Sequence, residues 1–112
     1  MLKRKNRLVS GVRLNSFYCF VFPQFVLKKK ENGLDTNRFG IAVAKKVAKR
    51  AVIRNKIKRF FWARLAVLNT KINVGHDILF IVKKEWLRMG ARENSSAITN
   101  ALIKAGLIKT NK

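Results

Sequence analysis

The chain has 112 residues, 48% of them apolar, and 26 Lys or Arg against five acids, a formal charge of +21. That length suits one domain burying roughly two thirds of its unfolded surface, and the apolar content excludes a disordered basic tail. Such an excess of one sign works against compaction and calls for a polyanionic partner, nucleic acid first.

Residues 1–16 are basic and weakly patterned, a basic N-terminal arm or a short helix. The opening MLKRKNR imitates the start of a secretory signal, but Arg13, Asn15 and Ser16 interrupt any apolar region behind it. The stretch FYCFVFPQFVL at 17–27 is rich in strand formers, and Pro23 limits it to an edge or to two short pieces. With Pro23 and Gln24 inside, it also falls short of the ~20 apolar residues a membrane-spanning helix needs. Asn32-Gly33 is a hairpin signal, and the alternation of Phe39, Ile41 and Val43 after it predicts a second strand pairing back onto the first.

From Ala51 the period changes. Ile53, Ile57, Phe60, Phe61, Arg64, Leu65 and Leu68 recur at helical spacing, predicting a long helix over 51–68. DILFIVK at 77–83 reads as a buried strand. Asn94-Ser95-Ser96 is expected to cap a last helix, with Ile98, Ala101, Leu102 and Ala105 on its apolar face and Gly106 at its end. The fold class is therefore α+β, with one sheet covered by helices on one face. One cysteine, Cys19, rules out an internal disulfide and a cysteine-built zinc site, so the expected compartment is a reducing cytoplasm.

The charge concentrates in KKVAKRAVIRNKIKR, residues 45–59, where eight of fifteen positions are Lys or Arg; no acid occurs between residues 36 and 76. On a helix the apolar stripe faces the sheet, leaving Arg54, Asn55, Lys58, Arg59 and Trp62 to crowd the other side. Lys45, Lys46, Lys49 and Arg50 fall just before the helix or in its first turn, where the free N–H groups and the dipole disfavour cations and favour phosphate. Arg50, Arg54 and Lys58 repel each other at i,i+4 with no Glu to relieve them. A local conflict of this kind is expected at a functional site. Asn55 both donates and accepts, so it can orient arginines or touch a base edge or 2′-hydroxyl. Trp62 suits either the core or a stacking platform.

The motifs Gly40-Ile41-Ala42-Val43-Ala44-Lys45-Lys46 and Arg50-Ala51-Val52-Ile53-Arg54-Asn55-Lys56-Ile57-Lys58-Arg59 resemble the signature of the bacterial ribonuclease P protein subunit. KNRL near the start, FVL at 25–27, RFG at 38–40, GHDILFIVKK at 75–84 and a closing KAGLI follow in the family's order. The resemblance implies a small two-layer α/β sandwich with a mixed sheet and a left-handed βαβ crossover. It also implies the role: binding the catalytic RNA of ribonuclease P and the 5′ leader of precursor tRNA, and assisting endonucleolytic removal of that leader.

By position, Lys45, Lys46, Lys49, Arg50, Arg54, Asn55, Lys58 and Arg59 become the candidate RNA-binding residues. A leader cleft would involve Val26 and Lys28, with Phe20, Phe22, Phe25 and Trp62 as candidate stacking groups. The chain departs from the family at Trp62 and Ala63, where an Arg and a Glu are usual, and in having only residues 9–24 between KNRL and FVL.

No catalytic residue is expected in the polypeptide. Five scattered acids and the lone His76 offer neither a metal-binding carboxylate cluster nor an acid–base pair. The resemblance assigns the chemistry to the RNA subunit and its Mg2+, with no protein partner required and no membrane. A structural RNA-binding protein, such as a ribosomal protein, is the competing reading; a DNA architectural protein lacks any dimer or recognition-helix pattern.

Overall fold

Pro23, which has no N–H to give a ladder, divides the first apolar run into two strands in the computed structural model, which describes residues 17–108. Strand β1 (Tyr18–Val21) and strand β2 (Phe25–Glu31) pair antiparallel, with Val21 opposite Val26. Phe22 closes the turn by donating its N–H to the Phe25 carbonyl at 2.9 Å. The arm expected over 1–16, with its KNRL match, lies outside the described residues.

Strand β3 (Arg38–Ala42) does not pair back onto β2, as the Asn32-Gly33 signal predicted. Strand β4 (His76–Val82) enters between them, antiparallel to β2 and parallel to β3, giving the order β1-β2-β4-β3. The Asn32-Gly33 turn does form, with Gly33 at φ 71 and the Leu34 N–H donating to Asn32 Oδ1 at 2.8 Å. It docks on the entry to β4, where the Asn32 N–H donates to the Gly75 carbonyl at 2.9 Å. Residues 32–37 then cross two strand spacings, about 9.6 Å in all. The most apolar strand takes the middle because only there are both its edges paired and both its faces used. Parallel neighbours β3 and β4 require a crossover, and helix α1 (Ala51–Leu68) provides it, followed by a short 3-10 turn (Asn69–Lys71).

Period-two alternation sends Phe25 and Leu27 of β2, Phe39 of β3, and Ile78, Phe80 and Val82 of β4 to one face. There they meet Ile57, Phe61, Leu65 and Leu68 of α1 and Ile98 and Leu102 of helix α2 (Ala91–Lys104) in one core. The ring of Phe25 stands edge-on to Phe61 and Phe80 at 5.8 and 5.2 Å, and Trp86 stacks on Phe61 at 4.6 Å. Each such burial is worth about 1.5–3 kcal/mol, so this aromatic cluster fixes the helices to the sheet. The other sheet face carries Val26, Lys28 and Lys30 of β2 with Leu79 and Ile81 of β4, all half-buried.

Helix α2 starts three residues before the expected cap. Gly90 is the N-cap, and its N–H donates to Glu93 Oε1 at 3.2 Å. Asn94 is instead buried inside the first turn, where its Nδ2 donates to the Trp86 carbonyl at 3.2 Å. The Asn signal was real but satisfies the chain before the helix rather than the helix itself. Gly106 ends α2 at φ 75, as expected, and the Leu107 N–H returns to the Leu102 carbonyl at 2.9 Å.

Candidate nucleic-acid interface

The connection from β3 to α1 alternates anchor and charge. Val47 and Ala48 are buried, and both return their N–H groups to the Ala44 carbonyl, at 3.0 and 3.3 Å. Pinned by those two, Lys45, Lys46, Lys49 and Arg50 stand exposed around the start of α1. Arg50 is the N-cap in extended conformation, with no side-chain cap and no acid in the first turn. Eighteen residues of aligned peptide dipoles thus begin among cations with no carboxylate to offset them. None of these four side chains has a hydrogen bond or ion pair among the described residues. An anion placed there gains the helix dipole, the free N–H groups and four charges together.

Along α1, Asn55 and Arg59 are exposed one turn apart, and Lys58 is half-buried beside them. Arg54 departs from the expectation that it points outward with them. It sits next to the Ile57 and Phe61 stripe, and its Nη1 folds back to the carbonyls of Ala48 and Lys49 at 2.9 and 2.8 Å. A guanidinium can do this because its apolar stem follows the helix flank while the two N–H groups of one terminal nitrogen reach two carbonyls at once. Arg54 therefore clamps the connection that presents Lys45, Lys46 and Lys49. Trp62, one turn beyond Lys58 and Arg59, is half-buried and packs against the core.

The residues expected in a leader cleft do not share one surface. Val26 and Lys28 lie on the open sheet face, opposite Ile81 and Leu79. Phe25 is fully buried on the other face, and Phe20 and Phe22 pack against the same core. Adjacent strand residues point to opposite sides, so Phe25 and Val26 could never both have lined one cleft. The open face does bring Lys30 beside Lys28, a residue the reading of the sequence missed although its period-two spacing from Lys28 was visible.

At the far end of β4 stands the other charged feature. Asp77 is fully buried and accepts from Arg38 Nε and Nη2, both at 2.7 Å, and from Asn32 Nδ2 at 3.0 Å. Burial pushes the Asp77 carboxyl up, but the hydrogen bonds from Arg38 and Asn32 and the nearby positive charges outweigh it, holding the group below the ordinary carboxylate range. The hydrogen bond to Asp77 in turn raises Arg38. His76, expected in a loop, is the first residue of β4, with Nδ1 3.0 Å from the Asn73 carbonyl. Among the described residues no three His, Cys, Asp or Glu side chains are placed to hold a metal, and no helix is long and apolar enough to cross a membrane.

Comparison with known proteins points one way. A family model described as Ribonuclease P matches residues 14–106. The ribonuclease P protein component of Alkaliphilus oremlandii is 38% identical over 80 residues, covering 71% of this chain and 69% of the relative. That of Clostridium kluyveri is likewise 38% identical over 80 residues, covering 70% of each chain. Among solved structures, the RNase P protein of Staphylococcus aureus superposes with a TM-score of 0.85 at 27% identity, over 93% of this chain and 98% of its own. The Thermotoga maritima RNase P protein gives a TM-score of 0.71 at 28% identity, over 78% of this chain and 82% of its own.

Proposed function

Since the chain belongs to the ribonuclease P protein family, we propose that it binds the catalytic RNA of ribonuclease P through the start of α1 and assists removal of the 5′ leader from precursor tRNA. The observation that carries this reading is the uncapped N-terminus of an 18-residue helix set among Lys45, Lys46, Lys49 and Arg50, none of them partnered among the described residues. Phosphate is the ligand such an arrangement favours, and each phosphate neutralised releases counterions from the RNA. Asn55 and Arg59 extend the same surface along the helix. Arg54 holds the connection in place from behind. Lys58, at the flank of the helix, completes the set.

The 5′ leader would cross the open face of the sheet. Val26 and Lys28 are the residues there that the family pattern points to, with Lys30 beside them. A single strand needs a positively charged track and apolar surface for its bases, and Lys28, Lys30, Val26, Leu79 and Ile81 supply both on one face.

Chemistry belongs to the RNA. The Mg2+ of the reaction would be held mainly by the RNA; Asp77, the one fully buried carboxylate among the described residues, is already taken by Arg38 and Asn32. The polypeptide would neutralise phosphate charge so that two polyanions, ribozyme and precursor, can come together. Its place of action is then wherever the RNA is, in the cytoplasm.

Reconstitution with the cognate ribonuclease P RNA tests the proposal. Adding the protein at low magnesium should raise cleavage of precursor tRNA, and the protein alone should cleave nothing. Cleavage by the protein alone, or no change at low magnesium, would reject it and leave a structural RNA-binding role.

A further inference from the structure

Helix α1 has a third side. One stripe, Ile57, Phe61, Leu65 and Leu68, is in the core, and Asn55 and Arg59 mark the candidate RNA side. Ile53, Lys56, Phe60, Ala63 and Val67 recur at alternating intervals of three and four residues, the spacing of a helix–helix seam. That seam is only partly occupied. Between Phe60, Ala63 and Val67 on one wall and Ala91, Ser95 and Ser96 on the other lies a cavity of ≈ 560 Å³. A second cavity, of ≈ 300 Å³, continues it past Ile53 and Lys56 towards Leu87, Met89 and Asn94. Phe60 and Ala91 line both, so the two form one trough. From residue 53 to 67 it runs about 21 Å, or four turns of helix.

Its floor is small and its edges are apolar: Ala63, Ala91 and Ser96 admit close approach, while Val67 and Leu87 are 64% and 51% exposed. Two buried polar atoms belong to it. Asn94, only 4% exposed, has Oδ1 without a hydrogen bond among the described residues. Its amide cannot turn over, because Nδ2 faces the Trp86 carbonyl, which only accepts. At the other cavity Arg64 gives Nη2 to Thr99 Oγ1 at 3.0 Å but leaves a buried Nε unpaired. Buried polar atoms ordinarily have partners, and these two leave the walls of the trough incompletely satisfied from behind, while its exposed apolar residues and cations are what an occupant meets.

The surrounding charge selects the occupant. Lys56, Arg64 and Arg92 line it, and no acid does. A second copy of this chain brings +21 of its own and is repelled. RNA fits poorly, since Phe60 is half-buried and already met edge-on by Trp86 at 5.3 Å, leaving no free ring for a base. We infer that this trough between α1 and the start of α2 is a docking site for an acidic amphipathic helix of a partner protein, apolar residues on its floor and carboxylates against Lys56, Arg64 and Arg92. Because Asn55 and Arg59 face another way, RNA and such a helix can bind together.

The test uses a labelled synthetic peptide of about five turns, Leu on one face and Glu on its flanks, against a scrambled peptide of identical composition. Anisotropy is measured on the protein already loaded with ribonuclease P RNA, so that bulk cationic charge is neutralised. If no RNA complex forms, which would count against the proposed function alone, the same comparison on the free chain decides. The amphipathic peptide should bind at least about tenfold tighter than the scrambled one. Val67→Glu, at an exposed position, should abolish that difference without altering precursor cleavage. Equal binding of the two peptides, or an unaffected Val67→Glu variant, overturns the inference. So does protection of Val67→Cys from maleimide by RNA alone, in a Cys19→Ser background, because the trough would then belong to the nucleic acid.

Discussion

The two ends of the sheet treat positive charge in opposite ways. Where β4 begins, every strongly placed cation has a partner: Arg38 grips buried Asp77, Lys29 donates to the Ala105 carbonyl and lies over the Phe20 ring, and Lys30 lies over Phe17. Where β3 ends, Lys45, Lys46, Lys49 and Arg50 meet the positive end of a helix and have no partner among the described residues. The first end lowers the free energy of the fold; the second raises it and recovers the difference only when an anion arrives. Charge count alone does not separate structural cations from functional ones. The presence or absence of a hydrogen-bonded or ion-paired partner does; Lys30, which only lies over the Phe17 ring, has neither among the described residues.

The sharpest way to test that contrast is at Asp77. Asp77→Asn leaves the Arg38 guanidinium without its counter-charge; because that guanidinium is 29% exposed, the loss is that of its charged hydrogen bonds, about 1.5–3 kcal/mol. Urea denaturation should show a loss of that size, while the variant that remains folded binds RNA with an unchanged salt slope. The pH dependence follows from the same group. Asp77 titrates lower in the native state than unfolded, so below the ordinary carboxylate pKa, about 3.9, the unfolded chain binds the extra proton first. Its contribution is complete above that pH and fades as pH falls towards the depressed native pKa. Stability measured down the acid limb should therefore fall less steeply in Asp77→Asn than in the parent.

Arg54 lies between the two classes and should behave as both. Arg54→Ala removes two hydrogen bonds from a charged donor to the Ala48 and Lys49 carbonyls, a loss of about 1–3 kcal/mol. RNA affinity should fall with it because the connection carrying Lys45, Lys46 and Lys49 loosens, yet the salt slope should hold. A slope that flattens by a full contact would instead make Arg54 a phosphate ligand. Arg54→Lys should rescue only in part, since its more strongly hydrated ammonium ends about one bond short of the Nη1 position that meets both carbonyls.

At the unpartnered end the expectation reverses. Lys45→Ala with Lys46→Ala should leave stability within about 0.5 kcal/mol. The slope of log affinity against log salt should fall in magnitude by about 1.4–1.8 for the pair. An unchanged slope would move the phosphate contacts elsewhere on the molecule.

How far the sequence could be read follows from the range of each interaction. The bounds of α1 and the breaking effect of Pro23 are local, set by period and by a missing N–H, and both were legible. The place of β4 was not, because a hairpin signal fixes a turn but does not say which later strand will slip beside it. The Arg38–Asp77 pair was hidden for the same reason: thirty-nine positions separate the two residues, and only the parallel register of β3 on β4 sets them opposite each other. The candidate RNA residues were legible as a charge run. Their division into four presented cations and one clamp was not, since Arg54 and Lys58 look alike at i,i+4 until the connection folds back over the helix start. The leader-cleft reading failed where a rule was at hand, because strand alternation alone places Phe25 and Val26 on opposite faces.

Arg50 gives the finest test, because there stability and binding should move in opposite directions. As N-cap it has extended φ and ψ but no side-chain oxygen for the first-turn N–H groups, and its positive charge sits at the positive end of the dipole. Ser fits the same backbone conformation and can accept from an N–H two or three residues on. Arg50→Ser should accordingly stabilise the fold by about 0.5–2 kcal/mol, while RNA binding weakens and its salt slope loses about 0.7–0.9. Both changes come from one atom group, so a shared cause such as partial unfolding cannot produce them. A variant that loses stability along with binding would show that Arg50 supports the connection as Arg54 does, and the line between presented and partnered cations would have to be drawn one residue earlier, at Lys49.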